Sequence, residues 1–397
     1  MIQITDKTKC CGCSSCANAC PRSAINMLPD SEGFIYPIVD KALCINCGIC
    51  NRVCPIENRP INSSPVRESY VLRAVDKDVL MNSTSGGFIT PLAEYVLDHH
   101  GVLCAAAYDK DFKIKHIIID KVAEYYLSNI RGSKYVQSSL GDCYIEIKRY
   151  LERKRMVCFV GTTCQVNGLK AFLCKEYEQL ITVDLVCHGT PSPKLWDKYL
   201  NYQKTKYHSK IQEISFRNKT YGYHSGTMKI CFSNGKIYYG SARVDYMLKS
   251  FFREIASRPI CYQCPFKTLD RCSDFTIYDC WHASELIAGL KDDDRGYTNV
   301  IVQSEQGKKL LQHISERYEM YKADTEKAIN LDGIMVLNSA KPHIRRSEFY
   351  VGIDGRTMQE QIQKFIPVRK LDILVERGKV VLYRLGIYRI VRKVLGK

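Results

Sequence analysis

Cys10-x-x-Cys13-x-x-Cys16-x-x-x-Cys20-Pro21 and Cys44-x-x-Cys47-x-x-Cys50-x-x-x-Cys54-Pro55 repeat one pattern near the start of the chain. This is the ligand spacing of a two-cluster ferredoxin. Three closely spaced thiolates wrap one corner of a cubane while the backbone offers amide donors to its sulfurs. The fourth thiolate is turned away, held by the proline that follows, and serves the other cluster. The spacing therefore assigns Cys10, Cys13, Cys16 and Cys54 to one 4Fe-4S cluster and Cys44, Cys47, Cys50 and Cys20 to a second. Cys11 is left over as a bystander thiol. Zinc also uses Cys-x-x-Cys, but it gains nothing from two identical four-cysteine runs that each end in Cys-Pro. A disulfide framework is opposed by the amino terminus, which has neither the apolar core nor the cleavage site of a secretory leader.

The chain is 397 residues long and 45% hydrophobic, enough for two or three domains. Its 20 cysteines without a leader point to a reducing cytoplasm and to metal ligands. No window of eighteen apolar residues occurs, so no transmembrane helix is expected. The formal charge of +16 comes from 58 basic and 42 acidic residues, with thiols counted as neutral. Basic and acidic residues are interspersed, and no ladder of aromatic and basic residues stacks bases, so nucleic acid is excluded as a partner.

Residues 1–60 read as the ferredoxin module, with a turn and short strand from Asp30 to Pro37. The polar stretch from Asn58 to Pro65 is the expected linker. Beyond it, strand patterns at 70–75, 101–108, 114–120, 156–160 and 180–186 alternate with helical patterns opening at 83–87 and running over 140–151 and 165–174. That alternation predicts an α/β domain over 66–320. Residues 209–240 break it with three short strands and an Asn234-Gly235 turn, an antiparallel insertion. From 321 to 397 a helical, basic tail is expected. From Arg369 it carries nine Lys or Arg against two acids. An apolar stripe runs from Leu371 through Leu374, Val381, Leu385 and Ile390 to Val394. Such a stripe packs on the body or on a second subunit, or lies on an anionic membrane surface.

Five further motifs carry chemistry. Ser83-Thr84-Ser85-Gly86-Gly87-Phe88 offers hydroxyls and close backbone approach, suited to a phosphate or to a simple helix cap. Arg131-Gly132-Ser133-Lys134-Tyr135-Val136-Gln137-Ser138 puts cations and hydroxyls on a flexible hinge. Gly161-Thr162-Thr163-Cys164-Gln165 and Cys187-His188-Gly189 follow buried strands, where open α/β sheets bind ligands. Cys261-x-x-Cys264 precedes Asp274-Phe275-Thr276, Asp279 and Trp281. Cys164, Cys187, Cys261 and Cys264 can hold a third cluster, or Cys164 can act as a nucleophile with Cys187 as packing. Cys104, Cys143, Cys158, Cys174 and Cys231 sit inside regular elements and read as packing residues.

In this order behind a two-cluster ferredoxin, these motifs resemble the beta subunit family of coenzyme F420 hydrogenase/dehydrogenase, from about residue 5 to about residue 320. The resemblance implies an iron–sulfur flavoprotein oxidoreductase. It implies FAD on Ser85, Gly86, Gly87, Ser133, Lys134, Tyr135, Gln137 and Thr162, and a third 4Fe-4S cluster on Cys164, Cys187, Cys261 and Cys264. One departure is Thr163, which stands where such proteins carry proline before the cysteine. Layouts of this kind also resemble chlorophyll-derivative reductases and proteins of bacterial surface-polysaccharide pathways, so coenzyme F420 is one candidate acceptor among several. Electrons are expected to come from ferredoxin or a partner subunit and to end on a small molecule or glycan precursor. Lys134 would steady the reduced flavin, and His188, Asp274 or Asp279 would relay protons. The alternative is an electron-transfer subunit without its own acceptor. The expected location is cytoplasmic, peripheral to the inner membrane through the tail, with homo-oligomerisation open.

Overall fold

The computed structural model describes residues 1–61, 65–388 and 391, the side chains of 124 and 125 excepted. Residues 62–64 of the expected linker, and Ile390 and Val394 of the tail stripe, lie outside the described residues. Two compact units divide the chain. One is Met1–Pro193 with Ser257–Lys341, the other Lys194–Ala256 with Pro342–Lys397.

In the first unit the cysteine-rich segment forms a hairpin of β1 (Ile25–Pro29) and β2 (Ile35–Val39), pairing Ile25 with Val39 and Met27 with Pro37. One-turn helices, Ser15–Asn18 and Ile49–Arg52, flank it. The two runs share a backbone signature. The second and fourth residues after the leading cysteine have positive φ: Gly12 at 70° and Ser14 at 62° in one, Asn46 at 54° and Gly48 at 74° in the other. Alternating left-handed residues turn successive amides to one side, a concavity suited to an anionic cluster.

The rest of this unit is built on eight strands: β3 (Glu68–Ala74), β4 (Val102–Tyr108), β5 (Ile114–Ile119), β6 (Val157–Thr162), β7 (Leu180–Leu185), and, past the second unit's first segment, β11 (Phe275–Cys280), β12 (Tyr297–Val302) and β13 (Tyr318–Ala323). Their order is β13-β3-β12-β11-β7-β6-β4-β5. Four neighbouring strands, β11, β7, β6 and β4, are parallel, with Cys104 opposite Phe159 and Phe275 opposite Val183. They read as nearly continuous apolar runs because helices cover both faces. Leu103, Ala105 and Cys158 pack on one side with Leu92 and Val96 of the Ile89–Asp98 helix. Val102, Cys104 and Phe159 pack on the other with Ile147 and Leu169. The Thr163–Leu173 helix starts straight out of β6, its first turn closed by a capping box between Thr162 and Gln165.

The second unit holds the antiparallel insertion, β8 (Ile211–Asn218), β9 (Thr227–Phe232) and β10 (Ile237–Ser241), with Ile237 opposite Cys231. Gly235, at φ 79°, makes the hairpin turn. The Pro193–Tyr207 helix lays Trp196 against Phe216, ring centroids 5.1 Å apart.

Three expectations are revised. Ser83–Phe88 is a loop between helices Lys77–Asn82 and Ile89–Asp98, since Gly86 and Gly87 interrupt the pattern. Residues 275–323 add three strands where the sequence pattern assigns none. Of the residues read as packing, Cys174 is exposed at a left-handed helix end and Cys231 is partly exposed beside Glu213.

Candidate functional site

The four thiols of each N-terminal set meet at one pocket. Cys10, Cys13, Cys16 and Cys54 line a concavity of about 320 Å³ with Gly12, Ser14 and Pro55. Cys20, Cys44, Cys47 and Cys50 line another of about 380 Å³ with Gly48 and Ile49. The crossing of the fourth cysteines, deduced from the proline that follows each, is thus the geometry that the fold produces. Amides point at the sulfurs: Ile2 N donates to Cys50 Sγ at 3.2 Å and Ala24 N to Cys20 Sγ at 3.3 Å. The Gly12, Ser15 and Ala17 amides serve Cys10, Cys13 and Cys16. Burial, then the thiols of Cys10, Cys54 and Cys50, push the Cys16 thiol up to about 12. Four thiols so close lose their protons together only beside compensating positive charge. Among the described residues, no three His, Cys, Asp or Glu side chains converge tightly enough to share a single metal ion. Sulfurs spread around a pocket suit a cubane, which takes each thiolate on a different iron, better than tetrahedral zinc with Zn–S of about 2.3 Å.

The fold gathers a third set. Cys164 opens the helix after β6, Cys187 follows β7, and Cys261 and Cys264 stand in the segment Pro259–Gln263 and just after it. Each of Cys187, Cys261 and Cys264 feels Cys164, and Cys261 also feels Cys187 and Cys264. Burial, then the thiols of Cys164 and Cys187, raise Cys264 to about 11. The two segments approach because Gly189 lacks a side chain: a Cβ there would lie 2.4 Å from Ser257 Oγ and 3.5 Å from Cys261 Cβ. Lys267 stands beside Cys187, Cys264 and Cys261, its ammonium donating to the carbonyls of Cys187 and Met335.

Cys11 stands between the first N-terminal set and the core set, its thiol beside those of Cys13 and Cys164. Arg258, 1% exposed, fills the same gap. Gly168 lets Cys13 settle on the Thr163–Leu173 helix, since a Cβ there would be 2.8 Å from Cys13 Cβ and 3.0 Å from its sulfur. Cys11 had its adjacency to Cys10 as a signal. Arg258, Lys267 and Gly168 carried none, because each matters only through a neighbour distant in sequence.

The residues assigned to a flavin divide. The two loops do meet: Ser133 N donates to Thr84 Oγ1 at 2.7 Å. Lys134 turns its ammonium inward onto the carbonyls of Ile130, Arg131 and Gly132, with Nζ 5.2 Å from the Tyr108 ring. Burial lowers Lys134 to about 7. The Tyr108 hydroxyl is buried without a hydrogen-bond partner among the described residues. A desolvated cation beside an orphaned hydroxyl, next to the open Gly132, fits an anionic, hydrogen-bonding ligand. Other members face inward for structural reasons. A Cβ on Gly86 would sit 2.3 Å from the Leu72 carbonyl, and Ser85 Oγ contacts Thr298 Oγ1 at 2.8 Å. Gly87 packs toward Ser83 and Val79. Gln137 accepts from Ile35 N at 3.0 Å, tying the sheet unit's loop to the ferredoxin hairpin. Thr162 caps its helix and touches Cys164 Sγ at 3.2 Å. Tyr135 is partly buried in the same loop.

Among the proposed proton carriers, Asp274 has both carboxylate oxygens engaged. Oδ2 accepts from Thr182 N and Oγ1, each at 2.7 Å, and Oδ1 from Ser304. It ties β7, β11 and β12 together. His188, next to Cys187, is partly buried, and Asp279 lies on β11 opposite Thr298.

Residues 154–327 match the family model for the C terminus of the coenzyme F420 hydrogenase/dehydrogenase beta subunit, and residues 9–58 match that of a 4Fe-4S dicluster domain. No curated protein matches the chain. A solved structure, the xenon-derivatised F420-reducing NiFe hydrogenase complex from Methanosarcina barkeri, holds a chain that is 16% identical. The similarity covers 76% of this chain and 92% of that one, with a TM-score of 0.42.

Proposed function

We propose, for a chain whose residues 154–327 match the coenzyme F420 hydrogenase/dehydrogenase beta-subunit family and whose residues 9–58 match the 4Fe-4S dicluster family, an iron–sulfur flavoprotein oxidoreductase. Electrons enter from ferredoxin or a partner subunit and leave to an organic acceptor. The observation that carries this reading is the continuity of the thiols. The first N-terminal set meets the core set at the Thr163–Leu173 helix, where Gly168 seats Cys13 one turn past Cys164, and Cys11 lies beside Cys164. A ferredoxin-like module that merely accompanied an unrelated domain would have no reason to place a third cysteine set at that contact.

The three sets would each hold a 4Fe-4S cluster, and FAD, when bound beside the Gly132–Tyr135 loop, supplies exchange between single electrons and two-electron chemistry. Lys134 provides the one buried positive charge of that loop among its described side chains, and so favours an anionic form of whatever it faces. His188, beside Cys187, is the carrier for protons, since Asp274 is committed to the sheet. The acceptor is a small molecule or glycan precursor, coenzyme F420 among the candidates. A non-catalytic electron-transfer subunit is the alternative.

Anaerobic reconstitution tests the reading. The protein should bind about twelve irons, four per cluster, and Cys261→Ser should reduce this to about eight. Bound flavin should bleach on adding reduced ferredoxin and recover with a competent acceptor. Flavin that never bleaches, in protein with full iron, favours the electron-transfer subunit. Zinc in place of iron overturns both.

A peripheral membrane location has its own support. The Lys370–Arg384 helix buries Asp372 and Glu376 and leaves Leu371, Leu374 and Val381 more than half exposed. Arg243, Lys249, Arg253 and Arg369 line one concavity at its start. Cations under an exposed apolar row suit an anionic bilayer surface.

A further inference from the structure

Arg258 is buried in a place where an unpaired charge is expensive. Removing a guanidinium from water costs several kcal/mol unless a counter-charge offsets it. Yet its hydrogen bonds go to neutral groups. Nε donates to the Cys10 carbonyl at 2.8 Å and Nη2 to the Ile35 carbonyl at 2.9 Å. Nη2 also stands 3.9 Å from Cys10 Sγ. The plane stacks on Tyr36 at 3.9 Å. Nη1 is buried and has no hydrogen-bond partner among the described residues. That nitrogen is aimed at the cysteine loop: a Cβ on Gly12 would lie 2.6 Å from it. The same charge acts on Cys164 and Cys261 of the core set. Guanidinium, orphaned donor and absent side chain thus converge on the gap between two cysteine sets.

We propose that Arg258 is a positioning residue for electron transfer. It compensates the negative charge of the cluster on Cys10, Cys13, Cys16 and Cys54 and of the core cluster, so that an electron reaches either at less cost. The inference rests on the reading that these sets hold iron–sulfur clusters. The orphaned Nη1–H would be satisfied by a sulfur of the first cluster, a charge-assisted bond that strengthens when the cluster gains an electron. The second N-terminal cluster, on Cys20, Cys44, Cys47 and Cys50, receives no hydrogen bond from Arg258 among those described. It is the internal control.

The test is an EPR-monitored redox titration of the anaerobically reconstituted full chain as wild type, Arg258→Gln and Arg258→Lys, each with its iron counted. Wild type lacking cluster signals would remove the underlying reading before Arg258 is judged. With signals present, Arg258→Gln should lower the midpoint of one N-terminal cluster, cutting its reduced-to-oxidised ratio at a fixed potential at least tenfold, about 59 mV for one electron. The other N-terminal cluster should move much less. Arg258→Lys, which keeps the charge but loses the fork, should fall between. Equal shifts in both N-terminal clusters, no shift in either, or a Lys variant indistinguishable from Gln at full iron content would overturn the proposal. Should Arg258→Gln lose iron, the Lys variant decides alone: an unchanged midpoint at full occupancy refutes a role for the fork, a lowered one supports it.

Discussion

Lys134 illustrates how a single residue can be tuned by where its atoms end. Its stem crosses the Gly132 hinge, and its ammonium meets three carbonyls and no carboxylate. Burial depresses it from its ordinary value to about 7. Without a ligand it is therefore largely neutral above that pH. An anionic ligand would restore the charge and draw in a proton, so affinity should fall as pH rises from about 7 toward 9. Fluorescence titration of flavin-depleted protein with FAD checks this: the dissociation constant should rise severalfold across that range, and Lys134→Met should bind weakly with the slope gone. A steady affinity across the range would remove Lys134 from the binding site. The opposite sign governs folding. A depressed lysine adds stability above its unfolded value, near 10.4, and loses it as pH falls through 7. At the same scale, Asp274 shows why residue type alone misleads: a carboxylate beside a motif reads as a proton carrier until Thr182 and Ser304 are seen to occupy it.

Among the elements, the Thr163–Leu173 helix does most to join the cysteine sets. Its first turn carries Cys164, its cap is Thr162, and its fourth residue past the cysteine is Gly168. Glycine inside a helix ordinarily costs about 0.5–1 kcal/mol against alanine. Here that cost secures contact, because Cys13 occupies the space a methyl would need. Gly168→Ala should therefore fail to stabilise. It should instead loosen the first cluster, with overpacking costing about 1–3 kcal/mol. Iron release to a chelator should quicken several-fold while far-ultraviolet circular dichroism stays unchanged. Slower release, with a higher melting temperature, would show that the helix and the Cys13 loop are not in firm contact. Neither partner announces this in sequence: Gly168 looks like a weak point in a helical pattern, and Cys13 like one ligand among several.

At the scale of the whole molecule, the exposed row on the Lys370–Arg384 helix predicts behaviour at a surface. Leu371 and Leu374 are 63% and 62% exposed, so charging them leaves the fold intact. The double variant Leu371→Glu with Leu374→Glu should lose at least tenfold in sedimentation with anionic vesicles and be unchanged with zwitterionic ones, where wild type binds little. Wild type that ignores anionic vesicles would leave the row to another partner. Among the described residues no helix is long and apolar enough to cross a membrane.

The cysteine runs determined two pockets and the exchange of fourth cysteines between them, because cysteine spacing and a following proline are local properties that survive any packing around them. The apolar strands and the Asn234-Gly235 turn were legible for the same reason: period and turn chemistry act within a few residues. Tertiary structure alone decided which thiols of different segments meet. Cys11 comes beside Cys164 only because the Cys13 loop settles on a helix more than a hundred residues away, and Arg258 reaches Cys10 across 248 positions. Contacts of that range depend on how whole elements are stacked, and stacking is set by the summed burial of many side chains rather than by any residue that takes part in the contact.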